Sequence, residues 1–248
     1  MMRNSLKIAA IAYACSIISI PTVAQTPTPA PAKKPAALAK APSAAAKPFD
    51  AALLQPATLN AKAPAEYEVK FVTTAGDFTI KVTRAWAPNG ADRFYNLVRH
   101  HFYDGAAFFR VLPGFMAQFG ISAYPEVSKV WETANIKDDP IVQSNHRGFV
   151  SFATAGPNTR TTQVFINYGN NEALDKSGFS AFAVVSDGME VVDKLYNGYG
   201  EGAPDGHGPN QGLITSRGRA YLEKSFPKLD SIRSATLVPA AAAPAPAK

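Results

Sequence analysis

The chain has 248 residues and a single cysteine, Cys15, which lies close to the amino terminus. Residues 16–248 therefore have no thiol with which to form a disulfide, ligate a metal or act as a nucleophile. The chemistry of residues 16–248 must rest on other side chains.

Acidic and aromatic side chains are absent from residues 25–48, which are rich in Pro, Ala, Thr and Lys. Such a segment has too little apolar surface to offset the entropy lost on ordering, so it is predicted to be a disordered linker. Residues 239–248 repeat this composition and are predicted to be a disordered tail. Residues 49–238 remain as one domain, a length that can bury a substantial core.

The first 24 residues have the pattern of a secretory signal peptide. Arg3 and Lys7 precede a mostly apolar run, Ile8–Ile20, and small residues end the segment at Ala24. Cleavage there would give a periplasmic or secreted protein that is not stably inserted in a membrane. An uncleaved anchor is the alternative. Lipidation of Cys15 is disfavoured because the apolar run continues beyond it.

Clustered basic residues are missing from the predicted domain. The formal charge of the chain is +6, but seven of its 25 basic residues lie outside residues 49–238, which leaves 18 basic against 19 acidic residues. A nucleic-acid partner is therefore not expected. The lysines of the linker could touch an anionic surface, although a solvated spacer is the simpler interpretation.

Several motifs of catalysis and cofactor binding are also absent. There is no Gly-x-Ser-x-Gly, no GxGxxG entering a helix and no GxxxxGK, which disfavours a serine hydrolase or a phosphate cradle. His100 and His101 are adjacent and cannot form an i, i+4 metal pair, and no EF-hand Gly and Glu follow Asp138-Asp139, which we interpret as a solvated pair. We expect neither a metal nor a cofactor.

The hydropathy pattern predicts many short strands and few helices. Residues 67–74 and 77–83 alternate as a β-hairpin, and helical spacing begins near Pro88. The other expected elements are strands at 148–153, 162–167, 179–185 and 235–238, a short helix at 189–195, and a helix at 217–226. Loops are expected at 121–143 and 198–212, and a further loop ends at Leu174-Asp175. This pattern is typical of a closed antiparallel barrel.

The most informative stretch is Phe108–Gly120, FFRVLPGFMAQFG. It begins as a strand, turns at Pro113-Gly114 and resumes as a strand. Side chains two apart on a strand share a face, so Met116 and Gln118 should point the same way, with Arg110 just across the turn. A cation, an apolar side chain and an amide are thus expected to converge.

That stretch resembles the centre of the cyclophilin-type peptidyl-prolyl isomerases, and Phe152–Ile166, FATAGPNTRTTQVFI, resembles the second half of the family signature. The likeness is closest over residues 67–185 and suggests an exported bacterial member. It implies a mainly β fold, a closed eight-stranded antiparallel barrel capped by two helices, with its site on the outer face.

The resemblance also assigns site residues. Arg110 matches the catalytic arginine of the family, and Gln118 is placed beside it as the second catalytic residue. The proline pocket corresponds to Phe115, Met116, Phe165 and Leu174, and further peptide contacts to Ala153, Thr154 and Gln163. An apolar pocket and a rigid, charged donor suit a reaction in which an X-Pro amide must twist over a barrier of about 18 to 20 kcal/mol.

The sequence departs from the family at the rim of this site. Ala173 stands where many members have Trp, a cyclosporin contact, Phe179 aligns with a usual His, and Phe119 replaces a Gly. We expect an isomerase that acts as a monomer on proline-containing unfolded or partly folded polypeptides during the folding of exported proteins. The alternative is a peptide-binding chaperone module on the same fold, with incidental turnover.

Overall fold

The computed structural model of the chain describes residues 49–239. The predicted signal peptide at 1–24, the linker at 25–48 and the tail beyond Pro239 lie outside the described residues. Residues 49–239 contain the strands and helices of the fold.

Eight strands form one antiparallel sheet in the order β3-β4-β6-β5-β7-β2-β1-β8. Their bounds are β1 Glu66–Thr73, β2 Asp77–Thr83, β3 Arg110–Leu112, β4 Met116–Phe119, β5 Phe149–Phe152, β6 Val164–Asn167, β7 Ala181–Asp187 and β8 Ile232–Leu237. The sheet curls so that its two ends meet: Ala107, just before β3, pairs with Ser231, just before β8. The Ile232 amide donates to the Ala106 carbonyl at 2.8 Å across this junction. The prediction of an eight-stranded antiparallel barrel is confirmed.

The predicted hairpin of β1 and β2 shows how the pattern builds the core. Alternate residues of both strands are buried. The turn between them contains Gly76 at φ +133°, a backbone conformation that residues with a side chain rarely adopt. Phe71 and Phe78 are register partners whose rings stack at 4.9 Å inside the barrel. Cross-strand aromatic pairs of this kind stabilise a sheet in one register.

Five α-helices and two short 3-10 helices accompany the sheet within the described residues. They are 3-10 helices at Ala51–Leu54 and Pro56–Thr58, and α1 Pro88–Arg99, α2 Pro125–Trp131, α3 Ala173–Lys176, α4 Met189–Val192 and α5 Gln211–Ser225. The apolar face of α1, with Ala91, Phe94 and Leu97, is fully buried against the barrel interior. In this part of the chain, no helix is both long and apolar enough to cross a bilayer.

The predicted loop at 121–143 is partly wrong because it contains α2. Trp131 ends this helix and is 1% exposed, and its indole N–H donates to the Leu53 carbonyl at 2.8 Å. Its ring also meets Phe102 edge to face at 5.6 Å. The contacts that stabilise α2 come from distant segments, so the short local pattern did not reveal it.

The interpretation of Asp138-Asp139 as a solvated pair is wrong for Asp139. Asp139 is buried, and its carboxylate accepts the Asn89 and Gly90 amides at 2.9 and 2.8 Å at the start of α1. Asp138 pairs with the buried Arg160. The Asp139 carboxylate therefore binds the start of α1 rather than facing water, while Asp138 stays exposed as it pairs with Arg160.

The segment after β7 differs from prediction in where its last helix begins. Helix α5 starts at Gln211, where the Asn210 side chain accepts the Leu213 amide at 3.1 Å. Gly218, at φ +56°, interrupts it with a kink, so the predicted helix at 217–226 corresponds to the second half. A side chain at Gly218 would meet the Ala123 carbonyl oxygen at 2.4 Å, which accounts for the glycine. Leu174 and Asp175, predicted as the end of a loop, belong to α3.

Candidate active site

The hairpin of β3 and β4 brings Arg110 and Gln118 together. The turn at Pro113-Gly114 places these residues opposite each other in the ladder. Arg110 Nη1 donates a hydrogen bond to Gln118 Oε1 at 3.1 Å. The predicted meeting of a cation and an amide at this turn is thus observed.

Strand alternation explains why the site faces outward. Val111, Ala117 and Ile166 belong to the barrel core. Their neighbours along the strands, Arg110, Met116, Gln118 and Phe165, point to the opposite face and line a cleft there. One set of strands therefore supplies both the core and the floor of the site.

All nine residues predicted for the site lie around this one cleft, whose volume is about 390 Å³. The cleft is also lined by five residues that were not assigned to the site: Ala155, Thr159, Thr161, Phe179 and Gln211. Phe179 could have been found from its alignment with a family histidine. The roles of the nine residues remain predictions.

The apolar half of the cleft is built from aromatic rings and aliphatic side chains. Phe165 and Phe179 meet edge to face with ring centroids 5.6 Å apart, and Met116 is buried beside them. The Arg110 guanidinium lies 5.9 Å from the centre of the Phe115 ring, within range of a cation–π contact. Leu174, from α3, lines the same half. The arginine therefore stands at the edge of an apolar pocket.

A chain of side-chain amides forms the polar edge. Gln118 Nε2 donates to Gln163 Oε1 at 2.8 Å, while Gln118 Oε1 accepts from Arg110. Gln118 is only 6% exposed. Because its amide group is engaged at both ends, its orientation is fixed and it holds the guanidinium in turn.

The loop of residues 153–159 also lines the cleft and is held by its own hydroxyl groups. Thr154 Oγ1 lies 2.9 Å from Thr159 Oγ1, and the Ala155 amide donates to Thr159 Oγ1 at 2.9 Å. The Ala153 amide donates to the Gln163 carbonyl at 2.9 Å and joins this loop to the start of β6. This part of the cleft lining is thus held in place by hydrogen bonds.

The loop that carries Leu174 and Phe179 is anchored from behind by Asn145, which is fully buried. Asn145 Nδ2 donates to the Phe179 carbonyl at 2.8 Å and to Asp175 Oδ1 at 2.7 Å. Burial alone would raise the pKa of Asp175, but hydrogen bonds from Ser144 and Asn145 outweigh it and hold that pKa below its ordinary value. This network positions the apolar pocket.

Glu201 contacts the arginine and was missed by sequence analysis. Arg110 Nε and Nη2 donate to Glu201 Oε1 and Oε2 at 2.7 and 2.6 Å, a bidentate pair across 91 residues of sequence. The hydrogen bond from Arg110, with help from the Gly202 amide, holds the pKa of Glu201 below its usual range. No local motif marked this residue, because its partner is distant in the chain.

The chemistry available in the cleft is non-covalent. A charged donor beside an apolar pocket can stabilise a twisted amide without a nucleophile. Within residues 49–239, no group of three or more His, Cys, Asp or Glu residues is placed to hold a metal ion.

Comparison with known proteins places the chain in one family. Residues 68–212 match the family model described as cyclophilin type peptidyl-prolyl cis-trans isomerase/CLD. A peptidyl-prolyl cis-trans isomerase of Acinetobacter baylyi is 34% identical over 145 residues, 56% of this chain and 77% of its own length. Peptidyl-prolyl cis-trans isomerase B of Escherichia coli is 33% identical over 173 residues, 66% of this chain and 94% of its own.

The crystal structure of a Cryptosporidium parvum cyclophilin type peptidyl-prolyl cis-trans isomerase shares the fold, with a TM-score of 0.52 at 19% identity, covering 71% of this chain and 99% of that one. The family match spans more than half of the sequence. The chain belongs to the cyclophilin-type peptidyl-prolyl cis-trans isomerase family.

Proposed function

We propose that this barrel catalyses the cis–trans isomerisation of X-Pro bonds in exported polypeptides as they fold. The observation that carries the proposal is the placement of Arg110 at the edge of the pocket formed by Phe115, Met116, Phe165 and Leu174. The relatives described above carry the name of this activity. Uncatalysed isomerisation takes tens to hundreds of seconds, so a catalyst removes a slow folding step.

The mechanism follows from the two halves of the cleft. The apolar half holds the proline ring of the substrate. Gln163 and the loop of residues 153–159 align the substrate backbone on either side of that ring. As the amide twists it loses resonance, and its nitrogen becomes a better hydrogen-bond acceptor. Arg110, oriented by Gln118, donates to the twisted amide more strongly than to the planar one, which lowers the barrier.

The competing function is peptide binding without useful turnover, as in a chaperone module. An arginine fixed at a proline pocket favours catalysis, since binding alone needs no donor aimed at a twisted amide. The deciding experiment measures isomerisation of a short X-Pro peptide by the protein from Gln25 onward. We expect acceleration proportional to enzyme concentration. Saturable binding without acceleration would support the chaperone alternative.

Export is the second part of the proposal and rests on the sequence of residues 1–24. Mass spectrometry of the protein from its native host should give a chain that begins at Gln25 and is unaffected by reductant. A retained apolar segment or a lipid-modified Cys15 would contradict this assignment. Light scattering of the same sample should give the mass of a monomer.

A further inference from the structure

The loop between α4 and α5 supplies the Glu201 carboxylate to the site, although Glu201 does not line the cleft. Arg110 Nε and Nη2 donate to the two carboxylate oxygens of Glu201 at 2.7 and 2.6 Å. Arg110 itself lines the cleft, whereas Glu201 is not among the lining residues. The carboxylate therefore binds the guanidinium without itself being part of the cleft lining.

The number of N–H donors on Arg110 shows how these two hydrogen bonds orient the guanidinium. A guanidinium has five N–H groups in one plane. Glu201 engages two of them and Gln118 a third, so two N–H groups, one on each terminal nitrogen, remain to face a peptide. With two edges of the plane occupied, rotation about the terminal bonds of the side chain is restricted. The plane that contains the remaining donors is thus fixed.

The backbone around Glu201 is itself fixed. The Gly208 amide donates to the Glu201 carbonyl at 2.7 Å, and the Gly202 amide donates to Glu201 Oε1 at 2.8 Å. A side chain at Gly206 or Gly208 would meet the Glu201 carbonyl oxygen at 2.3 or 2.8 Å, so the loop closes tightly around this residue. A loop built in this way holds a carboxylate in place rather than letting it swing.

We propose that Glu201 is a positioning residue for the isomerase reaction, which fixes the plane of the Arg110 guanidinium so that its free N–H groups meet the twisted amide. The inference rests on the proposed function of the cleft. It extends the catalytic apparatus from the β3–β4 hairpin to a loop 91 residues further along the chain. Glu201 acts through Arg110 and does not touch the substrate.

The kinetic test replaces the carboxylate and keeps the arginine. Glu201→Ala should lower kcat about tenfold with little change in KM, because a misdirected donor weakens only the transition state. Glu201→Gln, which keeps one acceptor oxygen, should retain an intermediate rate. Asp205→Ala is the matched control: it removes an exposed carboxylate from the same loop and should leave kcat unchanged.

A double-mutant cycle separates positioning from a structural role. If Glu201 acts only through Arg110, then Glu201→Ala should have no further effect in an Arg110→Ala background. Equal fold-losses in both backgrounds, or a kcat that rises when the carboxylate is removed, would overturn the proposal. Thermal midpoints of all variants show whether any loss reflects unfolding.

A third readout does not depend on turnover. In the nuclear magnetic resonance spectrum of the arginine Nε–H groups, the signal absent from Arg110→Ala identifies Arg110. We expect that signal to exchange slowly with water in the unmodified protein and rapidly in Glu201→Ala. Fast exchange in the unmodified protein would refute the fixed guanidinium. If the protein does not isomerise peptides but this signal is protected, the proposed function fails while the ion pair stands.

Discussion

Removal of the Asn145 side chain is expected to destabilise the barrel and loosen the apolar half of the cleft. Asn145 is fully buried, and its amide makes four hydrogen bonds: to Asp175, to the Phe179 carbonyl, and from Ser151 and Asn167. Each buried hydrogen bond contributes about 1 kcal/mol net, and a partner left without one costs about 1 to 3 kcal/mol. Asn145→Ala should therefore lower the free energy of unfolding by about 3 to 5 kcal/mol.

Chemical and thermal denaturation measure this loss directly. For a domain of this size, about 4 kcal/mol corresponds to a fall of about 10 °C in Tm. The urea midpoint should fall without a change in the m-value, which indicates lost stability rather than a different unfolded state. Asn60→Ala is the control, since Asn60 is exposed, and its effect should stay within about 0.5 kcal/mol.

The same variant should also weaken catalysis below its melting temperature. The Asn171 amide donates to the Asn145 carbonyl at 2.7 Å, so the chain that carries Leu174 and Phe179 is held to Asn145 by main chain and side chain together. A higher KM at 10 °C is expected as the pocket loosens. A loss of stability below about 1 kcal/mol would refute the reasoning, because it would mean that these buried groups find other partners without cost.

Two further predictions concern the rim and the acid range. Ala173 is exposed next to Leu174 and offers neither an indole donor nor a large apolar face, so the enzyme should bind cyclosporin weakly. Ala173→Trp should strengthen inhibition by about 2 kcal/mol or more, as is typical of such an aromatic, with little change in turnover. Tight inhibition of the unmodified enzyme in an inhibitor titration would contradict this. The lowered pKa of Asp175 means that it stabilises the fold above about pH 4, the unfolded value, and that this contribution is lost as the pH falls through the folded value. The stability difference between wild type and Asp175→Asn should therefore shrink on acidification, and a constant difference would contradict it.

Local patterns in the sequence predicted the parts of the fold that depend on neighbours in the chain. The alternation in β1 and β2 and the turn at Pro113-Gly114 are short-range signals, and the structure contains both. The residues of the cleft were predicted from the resemblance of two motifs to a family signature, while strand alternation placed Met116 and Gln118 on one face. These signals are readable because burial alternates with a period of two.

What could not be predicted depends on contacts between distant segments. Helix α2 is stabilised by Trp131, which packs on Phe102 and donates a hydrogen bond to Leu53. Neither contact can be predicted from the sequence pattern around residue 131. Glu201 lies in a glycine-rich loop with no motif, and only the fold brings it to Arg110. The burial of Asp139 could not be predicted because its partner, the Gly90 amide at the start of α1, is distant in the sequence.

The most direct test of the account is the rate of X-Pro isomerisation with and without the Arg110 side chain. Arg110→Ala should reduce kcat/KM at least about tenfold, the loss expected for one transition-state donor, with Tm nearly unchanged because the arginine is partly exposed and outside the core. Arg219→Ala, which removes an exposed arginine from the surface of α5, should keep the full rate. An Arg110→Ala enzyme that isomerises peptides as fast as the unmodified protein would contradict the mechanism.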